Sequence, residues 1–424
     1  MRVAIIGAGI IGVTTAFELA VDGHEVTVFE RRAAVAEEAS FANAGVVAPG
    51  YVTPWAAPGM PGKVAGFLLR QHAPVRLTLP LSREHIAWMW QWYRSCDPAT
   101  YAVNRARMQR LAFYSRTRLD EITEHYQFEY DRSRGYMVML RGEKDRQLVQ
   151  PGLQVLRDAG VAFKEIDADE ARRVEPAINP EIAFAGAVHL PADEVGNCRQ
   201  FALLLKNQAQ GRGVRFEFNQ AVDPLDPADP ASLNVWTLGE AAPVRRRFEA
   251  VIVCGGVESA LLLAPLGLKI PLIPIYGYSI SAPLREPLNA PRSAVMDERY
   301  KVAIARLGSR VRVAGSAEIG GVPGKKRAAS IQTLYKVLQD WFPGAAQLAN
   351  TGSGVQEWKG ARPMLPDGPP LIGATAIPRV WVNLGHGSSG WALSCGCARA
   401  VADLISQREP AIDIEGLGVE RLAA

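Results

Sequence analysis

Along this chain the apolar positions run unbroken, alternate, or recur every three to four residues, and each change of pattern marks an element. Val3-Ala-Ile-Ile6 is apolar throughout, as a strand buried on both faces is, and it passes directly into Gly7-Ala-Gly9-Ile-Ile-Gly12. An amphipathic stretch follows, then Glu25-Val-Thr-Val-Phe-Glu30. This pattern predicts strand, glycine turn, helix and strand. From about residue 83 to 126 apolar side chains recur at helical spacing, first Ile86, Met89, Trp90 and Tyr93, then Leu111, Tyr114, Leu119 and Ile122. Residues 135–140 and 161–166 read as strands flanking a helix over 148–159, and 187–190 as a short strand. Asn197 is placed to cap a helix from Cys198 to about Gln210, which Gly211 and Gly213 close before a strand over 214–218.

Downstream, the polar segment 223–247 predicts a hairpin and 248–254 a buried strand ending in Gly255-Gly256. Strands over 278–281, 301–304 and 311–314 precede a helix from about 328 to 342. The chain closes with a strand over 379–383, the glycine loop Leu384-Gly-His-Gly-Ser-Ser-Gly390, and a helix from Trp391 to about Ser406.

The first glycine loop carries dinucleotide chemistry. Gly7 permits a tight turn, Gly9 lets backbone approach a pyrophosphate, and Gly12 lets the helix pack closely on the strand. The helix start then aims its free N–H groups and positive dipole end at the phosphates. Glu30, at the end of the second strand, is placed to accept both hydroxyls of an adenosine ribose. A carboxylate there repels a 2′-phosphate, which leaves NAD or the adenosine half of FAD. Arg31 and Arg32 read as solvated or covering the adenine. The layout favours FAD, because long unrelated stretches interrupt the nucleotide-type segments. The chain also returns with a second strand, glycine loop and helix, whose N-terminus suits negative charge on a flavin ring.

Composition changes this picture little. A chain of 424 residues can bury more than one core, and 48% apolar with 21% charged residues describes a globular protein. The net charge of +4 comes from scattered residues and forms no nucleic-acid stripe. Cys96, Cys198, Cys254, Cys395 and Cys397 are odd in number and, Cys395-Gly-Cys397 apart, widely spaced, which reads as reduced thiols of a cytoplasmic protein. Cys395-Gly-Cys397 lacks partners at ligand spacing and reads as small residues on a helix, so no metal is expected. The apolar start is cut by glycines, unlike a signal peptide, and no run of 18 apolar residues suggests a membrane span.

Further motifs carry a resemblance over nearly the whole length: Ser40-Phe-Ala-Asn-Ala-Gly45, Pro49-Gly-Tyr51, Pro54-Trp-Ala-Ala-Pro-Gly59, Trp88-Met-Trp-Gln91, Gly277-Tyr-Ser-Ile280, Arg362-Pro-Met364 and Gly385-His-Gly387 with Gly390-Trp391. On these the chain resembles the D-amino-acid oxidase superfamily of FAD enzymes, and within it the bacterial D-amino-acid dehydrogenases. The resemblance implies an α/β fold: a Rossmann-type FAD-binding domain, interrupted in sequence, with a second α+β substrate domain on a mainly antiparallel sheet. The interruptions place the FAD-binding domain at 1–50, 194–270 and 355–424, and the substrate domain at 51–193 and 271–354.

The implied activity is oxidative deamination of D-amino acids to 2-oxo acids and ammonia, with electrons passed to a quinone or respiratory-chain acceptor. Gly7, Ala8, Gly9, Ile10 and Gly12 would hold the pyrophosphate, and Glu30, with Arg31 beside it, the ribose. Ser40, Asn43, Ala44 and Gly45 would line the pyrophosphate and flavin side, Val222 the adenine end, and Cys254 and Gly255 the neighbouring turn. Gly385, Gly387, Ser388, Ser389, Gly390 and Trp391 would meet the flavin pyrimidine edge, with His386 lining it. Arg362, read as part of a loop, matches the arginine that clamps the substrate carboxylate, a role its planar guanidinium suits. Tyr276, Tyr278 and Tyr51 are further pocket candidates.

Ala392, Asn197 and Lys359-Gly-Ala361 depart from the family pattern and bear on substrate preference. Alternatives are a 4-hydroxy-D-proline dehydrogenase, a glycine- or sarcosine-type oxidase, and a non-catalytic flavin-binding subunit of an electron-transfer complex. Aromatic and basic residues over 63–92 (Phe67, Leu68, Leu69, Trp88, Trp90 and Trp92 with Lys63, Arg70, Arg76 and Arg83) fit either a packed core helix or an interfacial contact. The latter would place the protein peripherally on the inner face of the plasma membrane.

Overall fold

The computed structural model describes residues 1–67, 72–348 and 354–423. Arg2–Ile6 lies inside a six-stranded sheet, in the order Leu371–Ala374, Val380–Leu384, Ala250–Val253, Arg2–Ile6, Glu25–Glu30, Arg215–Phe218. All neighbours are parallel except Leu371–Ala374, which runs antiparallel at one edge. The helices Ile10–Val21, Cys198–Gly211 and Gly390–Ile405 pack together on this sheet through an apolar cluster that includes Val13, Phe17, Phe201, Cys395 and Val401. Asn197 caps the second of these helices as its sequence predicts, accepting from Gln200 N at 3.3 Å. Glu18 is fully buried among them, held by Arg118 at 2.7 Å and Arg399 at 2.7 Å.

A ten-stranded, mainly antiparallel sheet forms the second layer. Its central order runs Gln356–Met364, Ile273–Pro283, Arg310–Ile319, Val302–Leu307, Ala294–Asp297, Ser133–Leu140, Gly186–Val195, Val46–Val47. The helix Ala328–Trp341 covers one face of it, packing Leu334, Val337 and Trp341 against Tyr278, Ile280, Ile304 and Val313. A separate three-stranded sheet, Gln220–Val222, Ser232–Thr237 and Val244–Arg247, stands where the polar hairpin is predicted.

The helical pattern over 83–126 divides into Arg83–Arg94 and Pro98–Tyr126. Asp97 makes the break: its carboxylate accepts from Ala99 N at 3.1 Å and Thr100 N at 3.0 Å, and Pro98 takes the first helical position. The strand predicted over 187–190 extends as Gly186–Val195, with a register irregularity opposite Gly135 that admits Pro191. No helix among the described residues is long and apolar enough to cross a membrane.

Candidate active site

A cavity of about 510 Å³ runs from the glycine loop of the parallel sheet to the face of the antiparallel sheet away from the helix Ala328–Trp341. Its first end is built by the tight strand-to-helix turn. Gly7 has φ +102°, and a Cβ there would stand 2.7 Å from the Cys254 carbonyl oxygen, so only glycine fits. A Cβ on Gly12 would overlap the Gly7 carbonyl oxygen, whereas one on Gly9 would make an ordinary 3.6 Å contact with Ser40. Gly9 and Ile10 line the cavity; Ala8 is buried behind it, and Gly12 packs the helix onto the turn. Glu30 lines the cavity while accepting from Ala8 N at 2.7 Å and Arg32 N at 2.8 Å, which fixes its carboxylate and leaves lone pairs for a ligand.

Around this end Ser40, Asn43, Ala44, Gly45, Val222, Cys254 and Gly255 also line the wall. Arg31 does too, and it pairs with Glu38 at 3.2 Å and Glu258 at 3.4 Å. Gly385, His386, Gly387, Ser388, Gly390 and Trp391 line the cavity at the second glycine loop, while Ser389 does not. Trp391 Nε1 donates to the Gly45 carbonyl at 3.2 Å and joins the two loops. An elongated cradle with a phosphate-loop end, a ribose-type carboxylate and a helix start further along fits FAD.

The far end is a floor of small residues. Gly277, Ala303, Ala314, Gly315 and Gly360 line it, with Trp358 and Arg362 at one side and Tyr136, Met296 and Lys301 at the other. Pairing of Ile275 with Arg362 and Gly277 with Gly360 puts Trp358, Gly360 and Arg362 on the cavity face of their strand. Arg362 therefore stands on a strand, not in a loop as its prolines and glycines suggest. Its Nη1 donates to the Ser316 carbonyl at 2.9 Å, and no carboxylate among the described residues pairs with it. Ser316 has φ +60° at a register shift between the strands, which turns its carbonyl toward the guanidinium. Burial pushes Arg362 down to about 10, so it remains a cation at neutral pH.

The same alternation carries Lys359 to the opposite face with Tyr276 and Tyr278. There the Lys359 side chain is 2% exposed, and its Nζ pairs with Glu318 at 2.8 Å and lies 4.3 Å from the Tyr276 ring centre. The Tyr278 hydroxyl donates to Glu318. Burial and this carboxylate raise the Tyr278 pKa. Glu318 sits below its usual range: burial pushes it up, but hydrogen bonds from Lys359, Thr78 and Tyr278 and the Lys359 charge outweigh it. Tyr278 borders the cavity from this strand; Tyr276 does not line it. Tyr51 is also off the cavity wall, with its ring edge-on to Tyr136 at 6.0 Å. Trp358, Tyr136 and Met296 line this end without being singled out by the sequence; period-two alternation around Arg362 is the signal that carries Trp358.

His386 is 3% exposed and its Nε2 has no hydrogen-bond partner. Burial pushes its pKa down to about 3, so it is neutral and poorly suited to accept a proton as a base. The unfolded chain protonates this imidazole near pH 6.5 while the native state resists until about 3. Its contribution therefore lowers stability as pH falls through that window, by up to about 1.4 kcal/mol per unit. His386→Gln is expected to show a shallower fall in melting temperature between pH 6.5 and 4.5; parallel curves would contradict a buried neutral imidazole.

The family model described as FAD dependent oxidoreductase, DAO, matches residues 2–404. The chain is 41% identical to the D-amino acid dehydrogenase of Cereibacter sphaeroides, covering 100% of this chain and 96% of that protein. It is also 41% identical to the D-amino acid dehydrogenase of Bradyrhizobium diazoefficiens, covering 100% and 99%. The crystal structure of glycine oxidase from Geobacillus kaustophilus superposes with a TM-score of 0.74 at 21% identity, over 99% of this chain and 98% of that one.

Proposed function

Since this chain belongs to the DAO family of FAD-dependent oxidoreductases, we propose that it oxidises D-amino acids to 2-oxo acids and ammonia and acts as a dehydrogenase. One observation carries the assignment of the site: Arg362, a cation without an acidic partner among the described residues, faces the cavity above a floor of glycine and alanine. A planar guanidinium in that setting binds the α-carboxylate bidentately and aligns the α-carbon along the floor. FAD, when bound, supplies the two-electron acceptor chemistry. Gly7, Gly9, Glu30, Ser40 and the loop residues Gly385, His386, Gly387, Ser388, Gly390 and Trp391 would hold it. Neutral His386 gives this end a polar surface and no base, so the substrate amine must be deprotonated without that imidazole.

The test is anaerobic: purified holoenzyme should be yellow and should bleach with D-alanine or D-proline. A flavin that ignores every D-amino acid overturns the reading, and stoichiometric peroxide under air would favour an oxidase instead. Gly277→Ala probes the same geometry, because its Cβ would collide with the Arg362 guanidinium. A displacement of this order is expected to raise KM about 10- to 100-fold with FAD retained.

We further propose a quinone-linked acceptor and a peripheral membrane contact through the helix Arg83–Arg94. Trp88 is buried, donating to the Met364 carbonyl at 3.0 Å, and Met89 and Trp92 pack beside it. Ile86, Trp90 and Tyr93 are each more than half exposed on the other side, between Arg83 and Arg94. Leu68, Leu69 and Arg70 of the aromatic-basic segment lie outside the described residues. Anionic liposomes should sediment the protein, and Trp90→Ser with Tyr93→Ser should release it; a protein left wholly in the supernatant rejects this contact.

A further inference from the structure

Two cations line the far end of the cavity, and the pairing of the strands fixes how they stand to one another. The Arg362 guanidinium reaches across to Gly277, where any Cβ would collide with it. Beside Gly277, Tyr278 pairs with Gly315 on the next strand. A Cβ on Gly315 would stand 2.9 Å from the Lys301 carbonyl oxygen and 3.1 Å from Val302 Cα. Lys301 opens the strand after that one, so its backbone lies two interstrand steps, about 10 Å, from Gly277. Gly277, Gly315 and Lys301 all line the cavity.

Lys301 is held in place and faces open space. Its turn is fixed by the buried Asp297 carboxylate, which accepts from Arg299 N at 3.0 Å and Tyr300 N at 3.1 Å. The Lys301 side chain is 51% exposed, which puts it at a mouth of the cavity, and its ammonium pairs with Glu298. Glu298 itself does not line the cavity, so the pair shows its cation to a ligand. The carboxylates on the cavity wall, Glu30, Glu37, Glu38 and Glu258, lie at the glycine-loop end around Arg31. Tyr136 and Met296, which complete the wall near Lys301, are neutral.

We propose that Lys301 sets the side-chain charge this site accepts, favouring D-amino acids with an acidic side chain over neutral ones of the same shape, with Glu298 moderating that preference. The inference rests on Arg362 holding the α-carboxylate. With that group fixed over Gly277, the row across Gly315 is left for the side chain, and the Lys301 ammonium closes it. A distal carboxylate is attracted there and a distal ammonium repelled, while Glu298 offsets part of either effect.

The experiment measures anaerobic flavin bleaching of holoenzyme by D-glutamate and D-glutamine, which differ in charge and hardly in shape. The ratio of their second-order rates is the reading, because a general loss of activity cancels from it. The parent ratio should exceed one. Lys301→Gln should lower it about three- to tenfold, Glu298→Gln should raise it, and Lys301→Arg should keep it near the parent value. Salt at about 0.5 M should shrink all these differences, since the ammonium is half exposed. A parent ratio below one overturns the proposal, as does a parent that D-alanine bleaches and D-glutamate does not. So does an unchanged ratio in folded, yellow Lys301→Gln, or a shift in the same direction in Lys301→Gln and Glu298→Gln, which would make the pair structural. Should Lys301→Gln lose its flavin, the rise expected in Glu298→Gln carries the test. A parent that no D-amino acid bleaches would instead overturn the proposed function.

Discussion

Arg362→Leu should remain folded and yellow while kcat/KM toward D-amino acids falls about 100- to 1000-fold or more. The cofactor cradle is built by other residues, so flavin content serves as the control. The loss corresponds to about 3–5 kcal/mol, the range for removing one partner of a desolvated, hydrogen-bonded charge pair. Arg362→Lys should recover only part of it, because an ammonium cannot present a planar fork. Thermal melting adds a second reading: with no acidic partner among the described residues, replacing the guanidinium by leucine should not lower the melting temperature of the substrate-free protein. Near-normal turnover would point to another cation. Lys359 is committed to Glu318 on the opposite face, so Lys301, which lines the cavity while pairing with Glu298, would be the residue to examine.

Gly12→Val should yield a colourless, destabilised protein. Any Cβ at this position overlaps the Gly7 carbonyl oxygen, and backbone on both sides of the contact leaves little room to adjust. Overpacking of this kind costs about 1–3 kcal/mol or more, and moving the turn also displaces the amides that face the pyrophosphate. Gly9→Ala is the informative contrast. Its Cβ meets Ser40 at an ordinary 3.6 Å, so the apoprotein should melt as the parent does, while FAD binds more weakly because the backbone can no longer approach the phosphates. Parental FAD affinity in Gly9→Ala would show that the pyrophosphate does not lie against this residue.

The two ends of the site differ in how far they could be read from the chain. Gly7, Gly9, Gly12 and Glu30 were legible because strand, turn and helix are contiguous and each glycine answers a local steric demand. The substrate end was harder. Pro363 and Gly360 argue locally against a strand, yet Gln356–Met364 pairs along its whole length with Ile273–Pro283. Once that strand is missed, so is its alternation, and Tyr276 and Tyr278 look like partners of Arg362 when they stand with Lys359 on the other face. Gly360 carries the Trp358 ring where a side chain would be, a contact no local pattern announces. Tyr51 sits in a segment rich in family motifs but packs against Tyr136 behind the wall.

What the residue order settled by itself is local: the phosphate-type turn, the acid that follows it, the Asn197 cap and the second glycine loop, all governed by backbone sterics and hydrogen bonds within a few residues. The tertiary structure alone decided which distant strands became neighbours. It set Arg2–Ile6 between strands more than 200 residues apart in sequence and placed Arg362 beside Gly277. It also turned Arg362 to the cavity with no acidic partner among the described residues. Those outcomes depend on long-range pairing and on which face of a strand is covered by a helix, so a buried charge acquires its meaning only when everything packed around it is known.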